Sequence, residues 1–347
     1  MALAELKIAS PALAGNRWQL AAGFLIIAIV VIGIASLAIG ASPVPVKRVI
    51  AALMGDGEAR DNLVVLSLRL PRMVAALVVG AGLGVAGAAM QGLYRNPLAD
   101  PGLIGVSAGA ALGAIAMIVL GGRIGAPLGI WAVPAGAFVG ALAATLLTQA
   151  IGAMRRDEGR TASLLLGGIA INAIVGVVIG ILNFLADDRQ LRDLTFWSMG
   201  NVGRADWSGI LLLIGAMLVG LLIIFRQARS LDALALGESP ARHLGVDISG
   251  MRLRIVLATA LMVGTATALC GMIGFVGIVV PHLVRLTLGA GHRLLLPMSA
   301  LGGSLLLLAA DLTGRTIAAP LELPVGLMTG ALGAPFFLWL LTRRPVT

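Results

Sequence analysis

Ten stretches of roughly 20 apolar residues recur along this chain, and they limit what it can fold into. A run of about 20 apolar residues makes a helix long enough to cross the hydrocarbon core of a bilayer. The expected fold is therefore all-α and polytopic, with about ten transmembrane helices. The runs lie near 18–40, 66–92, 101–120, 128–152, 162–185, 208–226, 253–272, 274–290, 295–313 and 322–342. An even number of crossings puts both termini on one side. The whole chain, 1–347, reads as a single transmembrane domain.

Composition agrees. The chain is 59% hydrophobic and 12% charged, where a soluble domain has about 25% charged residues. Its net charge of +9 would suggest nucleic acid in a soluble protein. Here the arginines sit between apolar runs, and no basic helix interleaved with aromatics is present, so no nucleic-acid partner is expected. Lipid headgroups and membrane orientation account for the basic residues better. With the termini in the cytoplasm, fifteen of the 25 Lys and Arg fall inside and ten outside, which favours that orientation. The run Leu20 to Ile39 exceeds the 7–15 residues of a signal-peptide core and reads as a retained first span. A lone cysteine, Cys270, excludes an intrachain disulfide framework.

The stretch from Arg69 to Gly109 is the densest in information. It opens Arg69-Leu70-Pro71-Arg72 and continues as an apolar helix rich in small residues: Gly80, Gly82, Gly84, Gly87 and Ala88. Polar Gln91, Tyr94, Arg95 and Asn96 then break it, Pro97 and Pro101 turn the chain, and a second small-residue helix begins near Gly105. Small residues at such intervals let helices approach closely in lipid. Two tightly packed spans joined by a rigid turn are expected.

This stretch, followed in order by LLLGGIAINA (164–173), FWSMGNVG (196–203), LALGESPARHLGV (234–246), GFVGIVVPHLVRL (274–286) and ELPVGLMTGALGAPFFLWLL (322–341), resembles the permease subunits of bacterial ABC importers for vitamin B12, iron-siderophores and haem. The similarity covers nearly everything after residue 60. It implies a homodimer in the bacterial inner membrane, two ATPase subunits below, and a periplasmic substrate-binding protein above. The function implied is import of an iron chelate by alternating access. The segment LRDLTFWSMGNVG is most like haem permeases, with siderophores and vitamin B12 as alternatives.

Particular residues follow. The longest inner connection, about 227–251, contains Gly237-Glu238-Ser239-Pro240-Ala241-Arg242-His243-Leu244-Gly245. Ser239 suits an N-cap, Pro240 the first helical position and Gly245 the position past the end. A helix of little more than a turn is expected. On local chemistry alone it is a well-capped surface turn; the resemblance makes it the coupling helix that docks into the ATPase. Arg69, Arg72 and Arg315 fall at the outer boundary, where headgroup snorkelling is common. The resemblance implies that they hold acidic residues of the binding protein. Thr161, heading the fifth span, is either a plain N-cap or part of a cytoplasmic gate that the resemblance places there.

Other polar groups read more plainly. His282 follows Pro281, which frees a backbone carbonyl, so local hydrogen bonding is expected. Asp311 lies four residues before Arg315 and should pair with it on one helix face. No metal-ligand cluster and no nucleophile–base pair stands out, so neither a metal site nor catalytic residues are expected. The two lysines, Lys7 and Lys47, lie outside any GxxxxGK[ST] loop, so the chain binds no cofactor. ATP and Mg belong to the partner ATPase, and the chain itself is not an enzyme. The rival class is an ion-gradient-driven secondary transporter, which needs ion sites near the bilayer midplane; the clear charges here cluster at span ends instead.

Overall fold

The computed structural model describes residues 17–124, 126–154, 160–204 and 206–343, which contain helices and turns and no strand. The chain runs through α1 (Arg17–Ala38), a short α2 (Val46–Met54), α3 (Ala59–Asn62) and α4 (Leu70–Tyr94). There follow α5 (Val106–Ile124), α6 (Ala132–Ala153), α7 (Arg160–Leu185), α8 (Asp188–Ser198) and α9 (Trp207–Arg226). Two short helices, α10 (Ala228–Ala235) and α11 (Glu238–His243), lead into α12 (Ile248–Cys270), α13 (Val276–Leu288), α14 (His292–Thr316) and α15 (Val325–Arg343).

Seven helices are long and apolar enough to cross a membrane, and three shorter apolar helices, Val106–Gly121, Val276–Leu288 and Val325–Phe336, stand at the remaining expected spans. Each of the ten apolar runs thus has its helix. The second is longer than its run: α3 and α4 join into one rod, Ala59–Tyr94, of 36 residues. Its joint, 63–69, is wound as a π-helix, with the Leu70 amide donating to the Val65 carbonyl. Pro71 lacks an N–H and crowds the carbonyl four residues before it. A wider turn ahead of it keeps the rod continuous.

Helix α4 is the central post, buried along most of Val79 to Tyr94. It does not stop at Gln91, as the polar residues suggested. Gln91 is buried and donates to the Gly277 carbonyl at 3.0 Å; the helix ends instead at Arg95, whose φ of 50° is left-handed. The close partner of α4 is also different from the one expected. It packs on α14, while α5 packs on α6. A Cβ at Gly80 would overlap the Gly303 carbonyl, and one at Gly109 would overlap the Gly140 carbonyl. One pair joins helices far apart in sequence and the other joins consecutive ones, so small-residue spacing announces close packing without naming the partner.

Two outer elements lie where only connections were expected. Helix α2 packs Val49 and Ala52 against Leu37, Val44 and Val65. Helix α8 opens with a capping box: Asp187 accepts from the Gln190 amide at 2.8 Å, and Gln190 accepts from the Asp187 amide at 3.0 Å.

Candidate functional site

The candidate site residues gather at the two ends of the bundle. At one end α10 and α11 form a rigid elbow. Helix α11 starts two residues earlier than Ser239 as N-cap would require: Gly237, with φ of 120°, occupies the cap, and Glu238, Ser239 and Pro240 make the first turn. Glycine wins because the chain must turn sharply out of α10, and this left-handed φ excludes most side chains. The far end is as expected. Gly245 has φ of 81°, the Val246 amide donates to the Ala241 carbonyl at 3.0 Å, and the Gly245 amide donates to the Arg242 carbonyl at 2.9 Å. This paired arrangement closes the helix in a Schellman motif.

Within the elbow, Ala241 is buried while the Arg242 side chain is 70% exposed, and Leu236 and Leu244 face outward. One ion pair and one hydrogen-bonded carboxylate–imidazole contact tie it to the bundle. Glu238 meets the buried Arg252 of α12 at 3.2 Å and Arg242 at 3.6 Å. Asp232 of α10 accepts from the His292 amide at 2.7 Å and faces its Nδ1 at 2.7 Å. Helix α11 is thus tied to α12, and α10 to the first turn of α14. His292 is the first residue of α14. Helix α7 begins at Arg160; the Thr161 side chain, the gate candidate, lies outside the described residues.

At the other end the three arginines converge. Asp311 of α14, fully buried, meets Arg72 Nε at 2.8 Å and Arg315 Nε at 3.2 Å. The expected Asp311–Arg315 pair is present, and Arg72 adds a second helix to it. Arg72 also donates to Glu322 at 2.6 Å. Arg315 reaches α1, donating to the Ser36 hydroxyl at 2.6 Å. Arg69 donates to the carbonyls of Leu37 at 2.7 Å and Ser42 at 2.6 Å. Arg69 and Arg315 are buried and spend their donors on the protein itself. Only Arg72, through the half-exposed Glu322, opens onto the surface. The network pins one end of α1, α4 and α14 together. Glu322 went unnoticed in the sequence because its partner is 250 positions away. His282 is buried and lies edge-on to Phe336 at 6.0 Å.

Comparison with known proteins places this architecture. The model of the FecCD transport family matches residues 27–343. The chain belongs to the FecCD transport family. Among other members, the hemin transport system permease protein of Yersinia pestis is 44% identical over 326 residues, 94% of this chain and 96% of that protein. The vitamin B12 import system permease protein of Vibrio cholerae is 42% identical over 284 residues, covering 82% of this chain and 84% of its own length. In structure this FecCD member is similar to a metal-chelate type ABC transporter solved in an inward-facing conformation. The TM-score is 0.82 at 28% identity, covering 94% of this chain and 99% of that one.

Proposed function

We propose that this FecCD permease subunit of an ABC importer carries an iron chelate, haem first, into the cytoplasm by alternating access. The observation that carries the reading is the 44% identity to a hemin permease across nearly the full length of both chains. Because vitamin B12 permeases lie almost as close, cargo has to be tested directly. In this reading the chain works as a homodimer in the inner membrane with both termini in the cytoplasm. Two separate ATPase subunits supply ATP and Mg, and a periplasmic binding protein delivers the cargo.

The elbow from Gly237 to Gly245 is the coupling element. Its exposed Arg242, Leu236 and Leu244 meet the ATPase, and its ties to Arg252 and His292 pass the movement on. Thr161 remains the gate candidate. For docking, Arg69, Arg72 and Arg315 act mainly as the frame of the outer rim. An acidic side chain of the binding protein would compete with Glu322 for Arg72, while Arg69 and Arg315 hold the rim in register.

The experiment is reconstitution of the chain with its ATPase and binding protein in proteoliposomes. ATP-dependent accumulation of haem, exceeding that of a ferric siderophore or cobalamin, is expected. Uptake driven by an ion gradient without ATP would replace this reading with the secondary-transporter one.

A further inference from the structure

Helices α6 and α9 both flank α12 without packing closely on each other. The gap between them is an apolar slot of about 520 Å³, lined by Phe138, Leu211, Leu212, Gly215, Val219 and Leu261, with Thr265 its single hydroxyl. Leu211, Leu212 and Val219 expose about half of their surface or more. A Cβ added at Gly215 would meet nothing within 4 Å. Helices within lipid associate chiefly by close packing, and the rest of this bundle is packed tightly enough to exclude a Cβ at Gly80 and Gly109. The slot is an exception.

Toward the end that carries α8, the slot opens into a second cavity of about 550 Å³, sharing Trp131, Pro134, Ala268 and Leu269 with it. This mouth is polar. Arg204, Asp193 and Asp206 line it together with Trp131 and Trp197. Asp206 is occupied, accepting from the Ser208 hydroxyl at 2.6 Å and the Gly209 amide at 2.8 Å as the cap of α9. Among the described residues neither Arg204 nor Asp193 forms a direct ion pair, and the two feel each other's charge across the mouth. A cation and an anion thus stand at one end of a hydrocarbon slot, beside two tryptophans of the kind that sit at headgroup level.

We propose that this continuous cleft is a binding site for one phospholipid bearing a phosphate and a primary ammonium. The phosphate is held by Arg204, the ammonium by Asp193 with the ring faces of Trp131 or Trp197, and an acyl chain lies in the slot between α6 and α9. Guanidinium suits a phosphate by geometry and weak hydration, and an ammonium over an indole face is favoured. Haem, itself largely apolar and carrying carboxylates, is the competing occupant, and the test separates it from the lipid. The inference rests on the membrane reading alone and is independent of which cargo is carried.

The test is native mass spectrometry of the full chain, purified in mild detergent and exchanged against equal amounts of phosphatidylethanolamine, phosphatidylcholine and phosphatidylglycerol. One phosphatidylethanolamine per chain should survive the wash. Arg204→Ala should lower its retention about tenfold, the loss of one charged hydrogen-bonding partner. Gly215→Leu should fill the slot and abolish retention with unfolding temperature unchanged, since the added side chain enters open space. Quenching of Trp131 and Trp197 fluorescence by phosphatidylethanolamine with brominated acyl chains gives a second readout. Equal retention of all three lipids, no retained lipid, unchanged retention in both variants, or displacement of the lipid by haem would each overturn the proposal.

Discussion

Asp311 is the residue on which the outer rim turns. It is fully buried, and its two oxygens serve Arg72 and Arg315 separately. Removing one partner of a buried ion pair leaves the other charge uncompensated, at about 3–5 kcal/mol. Asp311→Asn should therefore lower stability by about 3 kcal/mol in denaturant titration of the detergent-solubilised protein. Glu322→Gln should move it by less than about 1 kcal/mol, because Glu322 is half exposed. If the two variants behaved alike, Asp311 would not hold the network together. The i,i+4 spacing made Asp311–Arg315 legible from the sequence. Arg72–Asp311 joins residues 239 positions apart, and nothing local to either announces it. The same limit applies to Arg69, whose partners are backbone carbonyls of a different helix and loop.

Among the elements, α11 and the α4–α14 pair carry most of the consequences. Gly245 closes α11 in a left-handed conformation, which costs a non-glycine residue about 1–2 kcal/mol. Gly245→Val should fray the elbow and reduce ATP-dependent uptake several-fold, with the amount of folded permease in the membrane unchanged. Arg242→Glu should lower co-purification of the ATPase while leaving the melting temperature of the permease alone. Wild-type uptake in both variants would remove the elbow as the coupling element. At the α4–α14 contact, Gly80→Leu would drive a side chain into the Gly303 backbone. It should sharply reduce the folded yield seen by size-exclusion chromatography. Gly176→Ala, whose added Cβ meets nothing within 4 Å, should leave that yield unaltered. Element boundaries followed the same logic as element partners. Apolar runs located every long helix, but the start of α11 depended on how α10 delivers the chain. The extension of α4 below Arg69 depended on Pro71 being absorbed by a π turn. The helix α8 was readable in principle from its Asp187–Gln190 capping box.

At the scale of the whole molecule, the polar ties divide the work between the two ends. One end is a rim locked by charge, and the other is an elbow bound to α12 and α14 through Glu238–Arg252 and Asp232–His292. A permease built this way should pass a movement of α11 to the bundle as a rigid body. Breaking the Glu238–Arg252 tie with Glu238→Gln should therefore reduce uptake more than it reduces ATPase binding; a parallel loss of both would mean the tie only shapes the docking surface. The sequence by itself determined the class of the protein, the number and place of its apolar helices and the short inner helix, because hydropathy, glycine conformation and capping act over a few neighbouring residues. Only the tertiary structure decided that α4 pairs with α14 and α5 with α6, that Arg72 shares Asp311 with Arg315, and that α6 and α9 stand apart. Those outcomes depend on which surfaces fit across the whole bundle, and small-residue spacing marks a helix for close packing without telling whether its partner is the next helix, as for α5 and α6, or a distant one, as for α4 and α14.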